Sequence, residues 1–209
     1  MSRKKRKLPG RSPLMVTFIC GVCTMAVEMS ASRLLAPYFG TSLAVWTNII
    51  GVIMVSLCLG YTFGGQLADK YPTRRALGNV VAICGLICGL IPAVSVVILR
   101  GAVEGFELAE FPGSFVCTVV LFAPPILLLG MVNPFAIRLG ALDVETSGDV
   151  SGKVYAASTV GSLIGTFLPV LLTIPLLGTR LTIYLFAVVL FATGLIAKMP
   201  VRQPQASES

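Results

Sequence analysis

The sequence predicts an all-α integral membrane protein, a bundle of six transmembrane helices, on three observations. Mean hydropathy is +0.90, with 56% hydrophobic and 12% charged residues, whereas soluble domains carry charge on about a quarter of their residues. The apolar residues fall in six runs, each about 20 residues long, the length that crosses a ~30 Å hydrocarbon core. Lys and Arg concentrate in alternate connections between those runs, a topology signal under the positive-inside rule. The lipid bilayer is therefore the first partner the chain implies, and the plasma (inner) membrane its expected location.

Residues 1–13 form a basic N-terminal arm holding Arg3, Lys4, Lys5, Arg6, Lys7 and Arg11. A nucleic-acid arm has a similar composition, but a basic cluster beside an apolar run reads as a topology signal that also touches anionic lipid. No nucleic-acid partner is expected. The first span covers about 14–36. Its basic start and Ser30-Ala31-Ser32 also fit a signal peptide. The run continues past Glu28 and Arg33, longer than a signal-peptide apolar region, so a retained helix is expected. Pro37 to Gly40 should break it, and Tyr38, Phe39 and Trp46 cluster where an aromatic belt would sit.

The second span, about 43–67, ends in a charged loop, and the third covers about 77–99 before a loop with Glu104, Glu107 and Glu110. The fourth, about 114–139, contains Pro124-Pro125 and Asn133-Pro134 and must be kinked or broken. A polar link at 140–152 leads to the fifth, about 154–177; the turn Gly178-Thr179-Arg180 starts the sixth, about 181–198. A tail at 199–209 completes a plan of arm, 14–198 transmembrane domain and tail.

With the N-terminus inside, the cytoplasmic connections hold thirteen of the sixteen basic residues, and Arg33, Arg100 and Arg180 remain outside. That asymmetry, with an even number of spans, predicts both termini in the cytoplasm. The connections are too short for a soluble domain, which rarely falls below about 50 residues. No Gly-rich nucleotide loop, no paired acids in a soluble cleft and no nucleophile beside a base are present. The chain by itself is not expected to be an enzyme or to hold a cofactor. The chain has six cysteines and no histidine. Cys20-x-x-Cys23 and Cys84 with Cys88 read as small apolar packers, with no metal site expected.

Ionisable groups in the membrane cost about 2.5–3.5 kcal/mol near its centre, so Glu28 and Arg33 need a reason. At the helical rise Glu28 lies ~21 Å along the first span, in the outer half of the bilayer, and Arg33 ~7 Å further. They stand ~140° apart around the helix and are poor partners for each other. Thr24 and Ser32, at i±4 from Glu28, make a small polar stripe expected to face the bundle interior or a cavity. Glu28 then reads as a proton or cation site, or as a charge paired to an Arg, Tyr or Asn on another helix. Asn133, before Pro134, marks a broken helix that lines a site or is simply satisfied by neighbours. Tyr155, Ser158 and Ser162 form a hydroxyl row that faces a ligand or bonds another helix. A membrane enzyme using Glu28, Arg33, Asn133 and Tyr155 on lipid lacks an activated nucleophile. Small-residue stripes Ser56-Gly60-Gly64, Gly85-Gly89 and Ala157-Gly161-Gly165 predict close helix crossings.

The segment GGQLADKYPTRR at 64–75 resembles the G-x-L-A-D-R-x-G-R-R loop between the second and third helices of major facilitator transporters. Gly65, Asp69, Lys70, Arg74 and Arg75 carry the match, with Pro72 where those transporters have Gly. Asp69 is expected to cap or pair at helix ends, and the cations to pin the loop at the cytoplasmic face. The longer stretches 28–42, 64–75, 124–134, 152–162 and 174–178 together resemble the six-helix membrane domain of fused major facilitator/spermidine synthase proteins. The resemblance implies half of a major facilitator fold, and a soluble aminopropyltransferase-like domain supplied as a separate subunit. Two functions follow as expectations: a membrane module docking that subunit, or a half-size transporter of a cationic or amphipathic solute completed as a homodimer.

Overall fold

The computed structural model describes residues 11–106, 108–141 and 147–199, and no strand occurs among them. Eight helical segments follow one another: α1 (Arg11–Phe39), α2 (Leu43–Lys70), α3 (Arg74–Arg100), α4 (Glu110–Gly130), α5 (Val132–Gly140), α6 (Ser147–Leu168), α7 (Ile174–Leu177) and α8 (Thr179–Lys198). A π-helical turn, Gly101–Gly105, prolongs α3, and another, Pro169–Thr173, joins α6 to α7. Together they make six rods long and apolar enough to cross a membrane, with α4 and α5 forming the fourth and α6 and α7 the fifth. The six-span membrane protein expected from hydropathy is what the chain builds. Most of the basic arm (1–10), Glu107, the middle of the 140–152 link (142–146) and the tail from 200 lie outside the described residues.

Helix ends sharpen two local expectations. The first span ends within the expected Pro37 to Gly40 stretch: α1 runs through Pro37 to Phe39 and stops at Gly40, whose φ of +75° is left-handed. A proline so near the helix end removes a single backbone bond, whereas the left-handed turn redirects the chain. In the fourth span the helix passes through Pro124 and Pro125, and the single residue Met131, itself in right-handed helical geometry, separates α4 from α5 beside Asn133-Pro134, one of the two places where an interruption was expected. Pro134 lies four residues after Gly130, and its ring presses on that carbonyl. Phe39 also departs from the expected aromatic belt. It is buried, with its ring filling the space beside Gly113.

Three helix pairs dominate the packing: α1 with α6, α2 with α4, and α3 with α8. Each crosses on glycine. A Cβ on Gly161 would stand 2.2 Å from the Phe18 carbonyl oxygen, and one on Gly165 2.1 Å from that of Val22. Gly60 is similarly 2.2 Å from the Leu127 carbonyl oxygen, and Gly194 2.4 Å from the Ala82 nitrogen. Lipid provides no hydrophobic drive to bring helices together, so close backbone approach and its dispersion contacts do so.

The register of these contacts gives direction. Phe18 faces Gly161 and Val22 faces Gly165, so α1 and α6 run parallel. Asn48 bonds Ser114 while Gly64 meets Met131, so the second and fourth spans are parallel too. Gly78 meets Lys198 and Gly85 meets Phe191, so α3 and α8 are antiparallel. Exchanging spans 1–3 with spans 4–6 leaves this set of pairs unchanged, and the lesser α1–α8 and α3–α4 contacts exchange with each other. Three is odd, so the two halves traverse the membrane in opposite senses, the packing plan of an inverted repeat.

Five of the six cysteines are buried, and Cys58 is exposed on α2. A small membrane-permeant maleimide should therefore label one thiol in the folded protein and all six in dodecyl sulfate. Cys58→Ser should abolish the native labelling; fast native reaction at Cys84 or Cys88 would contradict this packing.

Candidate functional site

A cavity of about 260 Å³ opens between the first, second, fourth and fifth spans. Its back is the α1–α6 crossing, where Gly21 sits so close that a Cβ would be 2.3 Å from the Ser158 carbonyl oxygen. From α1 it takes Cys20, Thr24 and Met25; from α2, Leu57 and Tyr61; from the α4–α5 break, Leu129, Val132 and Asn133. α6 contributes Tyr155, Ser158, Thr159 and Ser162. Asn133, two residues after Met131, lines this space.

The wall mixes apolar and polar side chains and carries no charged one. Asn133 Nδ2 reaches Ser158 Oγ at 3.4 Å, and the Ser162 hydroxyl donates to the Gly21 carbonyl at 3.4 Å, both long. Thr24 donates to the Cys20 carbonyl of its own helix at 2.7 Å. The hydroxyls of Tyr61, Tyr155 and Thr159 make no hydrogen bond among the described residues, and Tyr61 and Tyr155 are 42% and 54% exposed. Unsatisfied hydroxyls and two tyrosine rings in one concave space suit a ligand that offers hydrogen-bonding groups or a positive charge.

Of the residues singled out in the sequence, Thr24, Asn133, Tyr155 and Ser158 therefore come together in one place. Glu28, Arg33 and Ser32 do not line it. The Ser32 hydroxyl donates to the Met29 carbonyl at 3.0 Å, so neither Thr24 nor Ser32 bonds Glu28. Arg33 is exposed near the end of α1. Glu28 is half-buried and has no ion pair or hydrogen bond among the described residues, so of its two readings the cross-helix pair finds no partner among them. It stands four residues after Thr24 and seven after Gly21, one turn beyond the cavity on the same face. Because Val22 is level with Gly165 on a parallel helix, Glu28 comes level with the turn Pro169–Thr173. Thr173, in that turn, has a buried hydroxyl without a partner among the described residues. π-helical turns of this kind recur at functional sites.

The charged loop is organised at its two ends. Arg138 Nε, at the end of α5, donates to Asp69 Oδ1 at 2.9 Å, tying the second span to the fourth. The pair is exposed, so it contributes ~0–1 kcal/mol. Thr73 caps α3 by accepting from the Ala76 N–H at 3.1 Å. Lys70 lies 5.4 Å from the centre of the Tyr71 ring, while Arg75 is exposed. Gly65 has open space where a Cβ would be; the glycine that the packing requires is Gly64, 2.5 Å from Met131 Cα.

Sequence reasoning missed Tyr61, Thr159 and Asn48. Tyr61 follows Gly60 in the small-residue stripe, and nothing in the stripe says that its neighbour looks into a cavity. Asn48 is buried and donates to the Phe111 carbonyl at 2.9 Å and to Ser114 Oγ at 2.8 Å. Nearby, Ser42 caps α2 and donates to Glu110. A lone asparagine in an apolar run was the available signal, since such residues act as interhelical glue. Comparison with family models, with curated proteins and with solved structures finds no match in any of the three.

Proposed function

We propose that this chain is a half-size, facilitator-type carrier module that takes a small cationic or amphipathic solute into the cavity between spans 1, 2, 4 and 5. The observation that carries the reading is that cavity: hydroxyls, an amide and two tyrosine rings, no basic residue, and, a turn away, a carboxyl with no partner among the described residues. A carboxyl without a protein cation at membrane depth takes a proton or a cation from elsewhere. The inverted packing plan supports alternating access around the same place. A second copy, covering Tyr61, Tyr155 and Thr159, would complete the carrier.

The orientation argued from Lys and Arg puts both termini in the cytoplasm of the plasma membrane. Among the described residues Lys70, Arg74, Arg75, Arg138, Lys153 and Lys198 share one end of the bundle, and Arg33, Arg100 and Arg180 the other. A C-terminal reporter active only outside would overturn it.

Liposomes containing the protein should take up a labelled organic cation such as spermidine or choline. Glu28→Gln should lower the rate at least ~tenfold if the carboxyl supplies the counter-charge. Unchanged uptake in that variant would remove Glu28 from the mechanism, and no uptake of any organic cation would remove the carrier reading.

The family resemblance favours a second reading, in which the bundle docks a spermidine synthase-like, aminopropyltransferase-like subunit and serves it substrate or product. Its support is that Asn133, Tyr155, Ser158, Thr159 and Ser162 all lie in the stretches that carry the resemblance. Affinity purification in mild detergent at native expression tests it, and recovery of no such subunit would count against it.

A further inference from the structure

Four cations gather where α3 begins. Arg74 and Arg75 occupy its first turn, which contains no acidic residue. Positive charge is unfavourable there, because the helix dipole already places positive charge at that end. Lys198, from the last turn of α8, lies against Gly78, where a Cβ would be 2.6 Å from Lys198 Cγ. Gly78 follows Arg74 by four residues, so Lys198 packs one turn from Arg74 on the same face of α3. Lys70 ends α2 across the short connection.

Nothing in the described chain neutralises them. Its two ion pairs are Arg138–Asp69 and Lys153–Asp149, neither of which involves these four. Arg74 Nη1 is shut off from solvent and meets no acceptor, so the guanidinium can be served only from its open edge. The cluster sits at the ends of spans, where a bilayer has its headgroups. Below it, the outward faces of α3 and α8 expose Ile83, Leu86 and Ile196 to whatever surrounds the bundle.

We propose that Arg74 and Lys198 grip the phosphate of an anionic phospholipid at the α3–α8 crossing, with Lys70 and Arg75 adding attraction and the apolar faces receiving the acyl chains. Lipid is favoured over free phosphate because the cations stand directly above apolar surface. A soluble anion would leave that surface unused.

The test is native mass spectrometry of the full chain released from detergent, offered phosphatidylglycerol or phosphatidylcholine of matched acyl chains. The wild type should retain phosphatidylglycerol with at least ~tenfold preference. Arg74→Gln combined with Lys198→Met should abolish the preference, the methionine keeping the stem that packs on Gly78. Lys198→Met alone should weaken it, Arg74→Lys should largely keep it, and Arg33→Gln with Arg180→Gln, at the opposite end, should leave it unchanged. Equal retention of the two lipids would overturn the proposal, as would equal loss in the opposite-end variant. Displacement of the lipid by millimolar inorganic phosphate would also overturn it, by showing a free-anion site.

Discussion

Replacing Gly165 with leucine is expected to destroy the folded bundle. A Cβ there would stand 2.1 Å from the Val22 carbonyl oxygen and 2.7 Å from its carbon. Those are backbone atoms of the most buried span, and no rotamer change relieves the overlap. The helices must separate, and separation also undoes the Gly161 and Gly21 contacts along the same seam. The loss should reach about 3 kcal/mol or more, the upper range for overpacking a close contact. Even alanine should cost ~1–3 kcal/mol, since the first carbon added is the one that collides. Gly51 and Gly65 offer the control, because open space surrounds the Cβ position at both. Alanine there should change stability by no more than ~0.5 kcal/mol. Thermal unfolding in detergent, followed by circular dichroism and by recovery of monodisperse protein, separates the outcomes. If Gly165→Leu melts with the wild type, α1 and α6 do not cross as described.

Filling the cavity should do the reverse, removing function while the fold survives. Ser158 is half-buried on the wall, facing Asn133 across 3.4 Å, and a phenylalanine there would project into about 260 Å³ of open space. That volume is near the lower limit for a small-molecule site, so one ring consumes a large part of it. Ser158→Phe should cut solute uptake at least ~100-fold, with a change in stability within ~1 kcal/mol. Ser158→Ala, which keeps the space and removes one hydroxyl, should cost uptake no more than ~tenfold, the scale of a single hydrogen bond. Full uptake by Ser158→Phe would show that the solute does not pass through this cavity. Loss of folding in that variant would show that the wall is closed packing and not a binding space.

The elements were legible because membrane spans are long and apolar, and six runs of that kind leave little ambiguity. The sixth span, expected at about 181–198, is the helix Thr179–Lys198. Helix ends were less legible. Of the Pro37 to Gly40 stretch expected to end the first helix, it is Gly40 that ends α1, because the sign of φ at one residue decides where the chain turns. The π-helical turn at Pro169–Thr173 left no readable signal beyond a proline inside an apolar run.

The candidate site was legible in parts. The Tyr155, Ser158 and Ser162 row and Asn133 could be picked out because polar groups in apolar runs are costly and few. That they face Thr24, and that Tyr61 and Thr159 join them, follows from which helices are neighbours. The first and fifth spans are far apart in the chain, and no local pattern pairs them. Glu28 shows the same limit from the other side. Its cost was visible, but the absence of a partner among the described residues is a fact of packing.

The sequence by itself therefore determined the solvent of this protein, the number of its crossings and the small residues at which helices can approach, because hydrophobic length and side-chain size are local properties. Only the tertiary structure decided that the first span pairs with the fifth, the second with the fourth and the third with the sixth. It also decided that four of them leave a cavity with Asn133 and several hydroxyls on its wall. Both are properties of contacts between backbones, set by which glycine meets which carbonyl.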